Sequence, residues 1–345
     1  MQNPEERFRH IDFSLIFAIM SYTNILFSSF QYLQRSIVLA MMYGTFFSCT
    51  QSADSIHVLF AGDLMLDRGT RKTIDDKGID YLFADVQKVF KQQDMVLVNL
   101  EQPVCKKDLK AADKTYCFRA DPDWLPAICR SGITHVTIAN NHIGDYRREG
   151  IQQTMQQLSL RYIAYVGADS TFQAPCKPLL IQKNGSKLSV FSSTLLYQQA
   201  SSGCCNENNT ELCGRIAAFQ NEHPEYCIVV CLHWGIEMDT LPSVEQRMQA
   251  HTLIDAGADL IIGHHPHVVQ PIEIYKGKYI CYSLGNFIFD ANKPPGNEGI
   301  FTCFDIRGNT ITLEDVIPFT LSDSKPSIMT DVNAKQFLDR KRIVF

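Results

Sequence analysis

Apolar and polar positions follow two different periods along this chain from Ser55 onward. Short runs rich in Val, Ile and Leu have the length of buried strands, and longer amphipathic runs separate them. The predicted strands cover residues 56–61, 95–98, 134–139, 162–166, 188–191, 226–232 and 260–262. The predicted helices cover residues 81–91, 122–130, 148–160 and 243–256. Strands that alternate with helices predict an α/β fold.

Three further stretches carry turn signals. Residues 183–186 (Lys-Asn-Gly-Ser) predict a hairpin turn, and residues 301–319 predict a hairpin about Gly308. Residues 279–289 predict a strand that is interrupted by a tight Gly-Asn turn. The sequence contains neither an internal repeat nor a low-complexity linker, so we expect one folded domain over residues 51–345.

Side chains suited to metal coordination follow five of the predicted strands. These groups are Asp63, Glu101, Asn141 with His142, His233, and the cluster of His264, His265 and His267. Each has a structural explanation on its own; an Asp at a strand end caps a helix as readily as it binds a metal. Right-handed connections, however, place the carboxyl ends of parallel strands at one edge of a sheet, where ligands bind. The recurrence therefore predicts a site.

The side-chain types in these groups indicate which ions the site would hold. Carboxylate, amide and imidazole ligands without a thiolate suit Mn²⁺, Fe²⁺, Mg²⁺ or Zn²⁺. The groups offer more ligands than one tetrahedral ion needs, and they suffice for two ions roughly 3.5–4 Å apart. We therefore predict divalent metal ions, two in number.

At these positions the chain resembles the CapA family of poly-γ-glutamate capsule synthesis proteins. The motifs run in order from about Ser55 to about Asp290: Gly62-Asp63-Leu64-Met65, Asn99-Leu100-Glu101-Gln102-Pro103, Asn140-Asn141-His142, His233-Trp234-Gly235-Ile236-Glu237, Gly263-His264-His265-Pro266-His267 and Tyr282-Ser283-Leu284-Gly285-Asn286-Phe287. That family is similar to the calcineurin-like metallophosphoesterases. The resemblance implies a metallophosphoesterase-like β-sandwich flanked by helices, in four α/β/β/α layers, with a two-metal site.

The resemblance also implies roles for individual residues. The implied metal ligands are Asp63, Glu101, Asn141, His233, His265 and His267, with His264 as the alternative member of the last pair. Asp63 would bind the first ion, His233 the second, and Glu101 would bridge them. His142 would donate a proton to the leaving oxygen. Two departures concern the first ion, since Met65 stands where the superfamily has a His and Glu101 where it has an Asp.

Composition and charge exclude one class of partner. A net charge of −5 and the lack of a long basic run argue against nucleic-acid binding. The hydrophobic fraction of 45% is that of an ordinary globular protein.

The twelve cysteines include no Cys-x-x-Cys pair, which argues against a zinc ribbon. Two groups are close enough in sequence for short-loop disulfides in an oxidising compartment: Cys105 with Cys117, and Cys204 and Cys205 with Cys213. The cysteines in apolar runs are predicted to be buried thiols: Cys227, Cys231 and Cys281.

Residues 1–50 read as a signal or membrane-directed segment. The apolar run 36–47 has the length of a signal-peptide core and is too short to cross a bilayer. With Arg35 before it and Ser48-Cys49 after it, this run resembles a bacterial lipoprotein signal, with Cys49 as the lipidated residue. A single uncleaved anchor that includes the earlier apolar run 11–30 is the alternative. Both readings place the domain in the cell envelope, membrane-anchored and outside the cytoplasm.

The resemblance implies a role in capsule or poly-γ-glutamate synthesis or export, with an anionic polymer as partner and a capsule synthesis complex as the setting. The first alternative is a metal-dependent hydrolase that acts on another phosphoester substrate, with His142 as the acid. The second is a component that binds the anionic polymer without turning it over. Amide-bond hydrolysis on such a polymer is a weaker third alternative.

Overall fold

The computed structural model of the chain describes residues 55–169, 176–196 and 203–343, and within these ranges two β-sheets face each other. The strands are β1 Ile56–Leu64, β2 Met95–Leu100, β3 His135–Thr137, β4 Ala164–Val166, β5 Leu179–Lys183, β6 Ser186–Thr194, β7 Cys227–His233, β8 Leu260–His264, β9 Ile272–Tyr275, β10 Lys278–Cys281, β11 Asn286–Ile288, β12 Glu298–Arg307, β13 Thr310–Ser322 and β14 Lys325–Ile328. The helices are α1 Gly69–Lys77, α2 Asp80–Phe83, α3 Gln87–Phe90, α4 Leu125–Ser131 (after a 3₁₀ turn Pro122–Trp124), α5 Arg147–Leu160, α6 Asn209–Glu222, α7 Val244–Asp255 and α8 Asp331–Lys341.

Parallel pairing sets the position of the strand ends in both sheets. The first sheet has the order β14-β13-β12-β1-β2-β3-β4, with β11 also paired to β1. Its strands β1 to β4 run parallel to one another. The second sheet has the order β5-β6-β7-β8-β10-β9, and β6, β7, β8 and β10 run parallel. The carboxyl ends of β1 to β3 therefore share one edge, and those of β7 and β8 share another.

Three apolar cores separate four layers. Phe60 of the first sheet and Val229 of the second lie in the core between the sheets. Leu59 lies in the core beneath α1 to α5, because successive side chains of a strand point to opposite faces. Leu253 of α7 packs on the outer face of the second sheet, together with α6. This α/β/β/α order confirms the predicted fold class.

A capping box begins the helix that leads into the histidine cluster. Ser243 Oγ accepts a hydrogen bond from Gln246 N at 3.1 Å, and Gln246 Oε1 accepts one from Ser243 N at 3.0 Å. These bonds satisfy two of the donors that a helix start leaves open. The cap fixes α7, whose Ala250 and Leu253 are buried against the second sheet. The chain then passes directly into β8.

The predicted helix over residues 81–91 forms as two short helices, α2 and α3, with a turn between them, so the prediction of one continuous helix is wrong. In this turn Ala84 N donates to Tyr81 O at 3.4 Å and Val86 N donates to Phe83 O at 3.2 Å. Bonds to the third preceding residue tighten a helix beyond the α form. The tighter path keeps Phe83, Val86 and Phe90 all buried under the first sheet.

The segment of residues 283–286 ties the two sheets together. Gly285 O accepts a hydrogen bond from Asp63 N at 3.1 Å, and Leu284 N donates to Gly263 O at 3.3 Å. A Cβ atom on Gly62 would lie 1.8 Å from Gly285 O. Position 62 therefore requires glycine, and the backbones of β1 and the 283–286 segment touch directly.

The predicted short-loop disulfides are wrong. Cys176 and Cys205 form a disulfide, with their Cα atoms 5.7 Å apart. Cys204 points the other way, with its Sγ 3.8 Å from Asn140 O. Nearness in sequence therefore did not bring the predicted partners together, and they are free thiols: Cys105, Cys117, Cys204 and Cys213. The prediction of buried thiols is confirmed for Cys227, Cys231 and Cys281.

The described residues, from Ser55 onward, form one compact unit. No helix within the described ranges combines the length and the apolar character that crossing a membrane requires. Residues 1–50, with Arg35 and Cys49, lie outside the described residues. The signal and lipidation assignments therefore stay predictions.

Candidate metal centre

The predicted ligand groups meet where the two sheets face each other. Asp63 lies in β1 and Glu101 directly follows β2, both in the first sheet. His233 ends β7 and His264 ends β8, both in the second sheet. Asp63, Glu101 and His233 are at most 1% exposed. The argument from a single sheet edge was therefore incomplete, since two sheets supply the site.

One group of candidate ligands consists of Asp63, Glu101 and His267. His267 Nδ1 lies 3.2 Å from Asp63 Oδ2, and His267 Nε2 lies 3.5 Å from Glu101 Oε1. One ligand atom from each residue lies within 4.8 Å of the other two, which is the spacing that one cation can hold. Asn286 Oδ1 contacts His267 Nδ1 at 2.9 Å and orients the ring.

A second group consists of Glu101, His233 and His265, with the same 4.8 Å limit between ligand atoms. His233 Nε2 lies 3.8 Å from Glu101 Oε1 and 2.9 Å from Asn141 Oδ1. The rings of His233 and His265 lie 4.8 Å apart. Glu101 belongs to both groups, which is the place that the resemblance gave to a bridging carboxylate.

His264 belongs to neither group. Its Nδ1 lies 3.3 Å from Asp63 Oδ1 but without hydrogen-bond geometry, and the residue is 2% exposed. The geometry therefore favours His265 and His267 as the pair of ligands. His264 keeps the position of a buried neighbour behind Asp63.

Burial and mutual charge perturb the pKa values of the cluster. Burial and the negative charge of Asp63 raise the pKa of Glu101 well above its usual value. Burial favours a raised pKa for Asp63 too, but the close contacts and charges of His264 and His267 bring it well below its usual value. Burial and the neighbouring His265 lower the pKa of His233. Burial opposes a charge on His267, yet Glu101 and Asp63 raise its pKa to about 10.

A divalent cation fits this donor set. Two buried carboxylates lie beside three imidazoles, and Glu101 is disfavoured as an anion next to Asp63. Among the described residues, Nδ1 of the candidate ligand His265 is buried without a hydrogen-bond partner. Buried polar atoms are normally satisfied, and a metal ion satisfies imidazole nitrogens. The oxygen and nitrogen donors suit Mn²⁺, Fe²⁺, Mg²⁺ or Zn²⁺.

His142 lies in the same cleft as His267 but outside both ligand groups. Its Nδ1 lies 2.8 Å from Asp145 Oδ2, and Asp145 is fully buried. Lys114 Nζ contacts Asp145 Oδ1 at 2.6 Å, and Phe118 packs on the imidazole with 4.6 Å between ring centroids. Asp145 therefore holds one nitrogen of His142 and leaves Nε2 for the cleft.

The sequence profile of a family described as "Bacterial capsule synthesis protein PGA_cap" matches residues 57–291, which include the whole site. The capsule biosynthesis protein CapA of Bacillus anthracis is 30% identical to this chain over 301 residues, 84% of this chain and 72% of that protein. The PGA biosynthesis protein CapA of Bacillus subtilis (strain 168) is 31% identical over 297 residues, 83% of this chain and 77% of that protein. This chain belongs to the PGA_cap family.

Solved structures resemble this PGA_cap chain only distantly. A phosphatase of Mycoplasma pneumoniae aligns with a TM-score of 0.47 and 13% identity, over 82% of this chain and 97% of its own. The NAD nucleotidase NadN of Haemophilus influenzae aligns with a TM-score of 0.47 and 12% identity, over 83% of this chain and 55% of its own. The four-layer architecture of this PGA_cap chain is therefore assigned from its own sheets and helices.

Sequence reasoning named Asn99 in a motif but gave it no role, whereas in the structure it connects the candidate ligands of this PGA_cap site. Its Nδ2 donates to Asp63 Oδ1 at 2.8 Å and to Glu101 Oε2 at 3.4 Å, and it lies 3.4 Å from His233 Nδ1. A carboxamide inside the apolar strand β2 was the available signal. Sequence reasoning also missed Glu237, an exposed residue that forms a further candidate ligand group with two of the histidines.

Proposed function

We propose that this protein acts in the synthesis or export of a capsule or poly-γ-glutamate polymer, through a divalent-metal centre of the phosphoesterase type. Its PGA_cap membership and the names of its two Bacillus relatives support the polymer role. One observation carries the metal centre: two groups of buried ligand side chains share Glu101. We infer up to two ions, one in each group.

Asp63, Glu101, His233, His265 and His267 would hold the ions. The ions would supply positive charge next to the oxygens of a reacting phosphoryl or carbonyl group. The chain itself supplies a proton and its orientation. Because Asp145 accepts a hydrogen bond from His142 Nδ1, the opposite nitrogen Nε2 faces the cleft and can protonate a leaving oxygen. The ion pair between Lys114 and Asp145 and the packing of Phe118 keep the imidazole in that orientation.

Metal analysis tests the centre. The full chain, purified in detergent without chelator, should carry about one to two divalent ions. His233→Ala should lower the metal content because it removes a ligand. His251→Ala is the matched control, since His251 pairs with Glu273 at 2.8 Å outside both ligand groups. Less than about a tenth of an ion per wild-type chain would contradict the centre.

Hydrolysis of an aryl phosphodiester with added Mn²⁺ tests the role of His142. His142→Ala should lower kcat roughly 10²–10⁴-fold, the usual contribution of a positioned general acid, and should keep the bound metal. His251→Ala should match wild type in both respects. Wild-type activity that survives His142→Ala unchanged would show that His142 is not the proton donor.

A polymer-binding component without turnover is the second candidate. It is favoured by Met65, which is 1% exposed and stands where the superfamily has a ligating His. A wild-type protein that binds metal and a γ-linked glutamate oligomer, but hydrolyses neither the oligomer nor the phosphodiester, would support this candidate over the hydrolase.

We further propose that the chain is exported and held at a membrane through Cys49, a proposal motivated by Arg35, the apolar run and Ser48-Cys49. Cys49→Ser should release the protein to the soluble fraction or stall its processing. If the variant stays membrane-bound with unchanged gel mobility, the earlier apolar run is the anchor and the lipoprotein assignment is wrong.

A further inference from the structure

Arg68 adopts a backbone conformation that residues other than glycine rarely occupy. Its φ is 57° and its ψ is −129°, and it immediately precedes α1. Such a conformation is strained, and it persists only where the surrounding structure holds it. Strain of this kind clusters at functional sites, so the position needs an explanation.

Hydrogen bonds hold the turn on both sides of Arg68. Asp67 Oδ1 accepts from Arg68 N and from Arg71 Nε, each at 2.9 Å. Asp290 Oδ2 accepts from Gly69 N at 3.2 Å. A glycine at position 68 would make the same turn without strain. The turn alone therefore does not explain the arginine, and its side chain must.

The guanidinium of Arg68 lies beside two aromatic rings of the cleft. Its central carbon is 5.6 Å from the ring centroid of Phe118 and 5.9 Å from that of Phe289. Phe118 contacts His142 with centroids 4.6 Å apart, and Phe289 contacts His267 with centroids 4.7 Å apart. The two rings thus place a fixed positive charge next to the proposed proton donor and a proposed metal ligand.

The guanidinium of Arg68 has further hydrogen-bond donors that can bind a ligand. Asp290 Oδ2 lies 3.1 Å from its Nε, and the side chain is 49% exposed. Within the described ranges, no hydrogen bond uses its two terminal nitrogens. Those nitrogens form the fork that binds carboxylate or phosphate oxygens in pairs. Lys293 lines the same cleft, whose volume is about 620 Å³.

We propose that Arg68 is an anion-binding residue of this cleft, and that it holds a carboxylate or phosphate group of the substrate beside the metal centre. The substrate class is therefore a polyanion that carries a second negative group next to the reacting unit. The inference rests on the proposed function for the reaction, but the anion binding itself requires no turnover.

Three variants distinguish an effect of the Arg68 charge on anion binding from an effect of Arg68 on folding. Arg68→Gly removes the guanidinium and relieves the strained turn, so we expect the fold to remain. Arg68→Lys keeps the charge without the fork. Arg307→Ala removes a 58% exposed arginine at the far end of β12, and is the matched control. Calorimetry measures binding to the full chain, with bound metal and after chelation.

The probes are a synthetic γ-linked glutamate oligomer, the same oligomer with every carboxylate converted to an amide, and inorganic phosphate. Arg68→Gly should bind the anionic oligomer about tenfold or more weakly than wild type, and Arg68→Lys should fall between them. Arg307→Ala should match wild type, and the amide oligomer should not distinguish the variants. A loss confined to the oligomer assigns the subsite to carboxylates, and a matching loss for phosphate assigns it to phosphate as well.

Equal binding of both anions by wild type and Arg68→Gly would overturn the proposal. So would a drop in the stability of Arg68→Gly with unchanged anion binding, because Arg68 would then act only in the fold. A third outcome separates the two proposals. If wild type holds no metal but Arg68→Gly still weakens anion binding, the proposed function is contradicted and this inference stands.

Discussion

Replacement of Gly62 by alanine tests the contact that ties the two sheets together. The new Cβ would lie 1.8 Å from Gly285 O, whereas Cβ atoms essentially never approach within 3.0 Å, so the two backbones must separate by about 1.2 Å. A carbonyl of the main chain cannot rotate away as a side chain can. We therefore expect a loss at the upper end of the overpacking range, about 3 kcal/mol in the free energy of unfolding.

The same displacement reaches the metal centre through the next residue. Asp63 N donates to Gly285 O at 3.1 Å, so a shift of β1 away from the 283–286 segment moves Asp63 with it. Functional geometry tolerates only about 0.5 Å of misplacement. Gly62→Ala should therefore also lower the metal content of the purified protein.

Urea unfolding followed by circular dichroism, together with metal analysis, measures both effects. The matched control is Gly214→Ala, in the interior of α6, where an added Cβ meets nothing within 4 Å. That change should stabilise the protein by roughly 0.5–1 kcal/mol, because alanine favours the helix over glycine. If Gly62→Ala unfolds at the wild-type urea concentration and keeps its metal, the close contact between the sheets is not as described.

Three further outcomes are expected. Chelation should lower the Tm of wild type, with about 2.7 kcal/mol lost if the metal was present at a hundred times its Kd. It should lower the Tm of His233→Ala by less, because of the two ligand groups that variant keeps only the group of Asp63, Glu101 and His267. Reductant should cost wild type roughly 2–4 kcal/mol by opening Cys176–Cys205, which closes a span of 29 residues, and should have no such effect on Cys205→Ser. Burial lowers the pKa of His135 to about 4 in the folded protein. As the pH falls from about 6.5 towards 4, this imidazole gains a proton in the unfolded chain but not in the folded one, so the free energy of unfolding decreases. Unfolding curves of wild type and His135→Gln should differ by up to about 3 kcal/mol more at pH 7 than at pH 4, and a pH-independent difference would contradict the burial of this imidazole.

The positions of Glu101 and His233 could be predicted from the sequence, because each ends an apolar run that is long enough to be a buried strand. Asp63 could be predicted in the same way, although β1 continues past it to Leu64. The resemblance to a known family favoured His265 and His267 and kept His264 as the alternative. The two candidate ligand groups contain His265 and His267 but not His264.

The remaining features depend on contacts between distant parts of the chain. The role of Asn99 can be recognised only in the folded protein, where β7 places His233 Nδ1 3.4 Å from Asn99 Nδ2. The strained backbone of Arg68 could not be predicted, because the neighbouring Asp67 holds only one side of the turn and Asp290 holds the other from more than two hundred residues away. Cys205 pairs with Cys176 rather than with a nearer cysteine, because the fold and not the spacing sets the distance between Cβ atoms.

Because the candidate ligands are divided between two sheets, they come together in a fixed order during synthesis of the chain. Glu101 leaves the ribosome more than a hundred residues before His233 and His265. Until the second sheet has been made and packed against the first, the two carboxylates have none of the three ligand imidazoles beside them. We therefore expect that a nascent chain cannot capture its ions early. Metal binding would follow the packing of the two sheets, and a bound ion would identify a chain in which that packing has occurred.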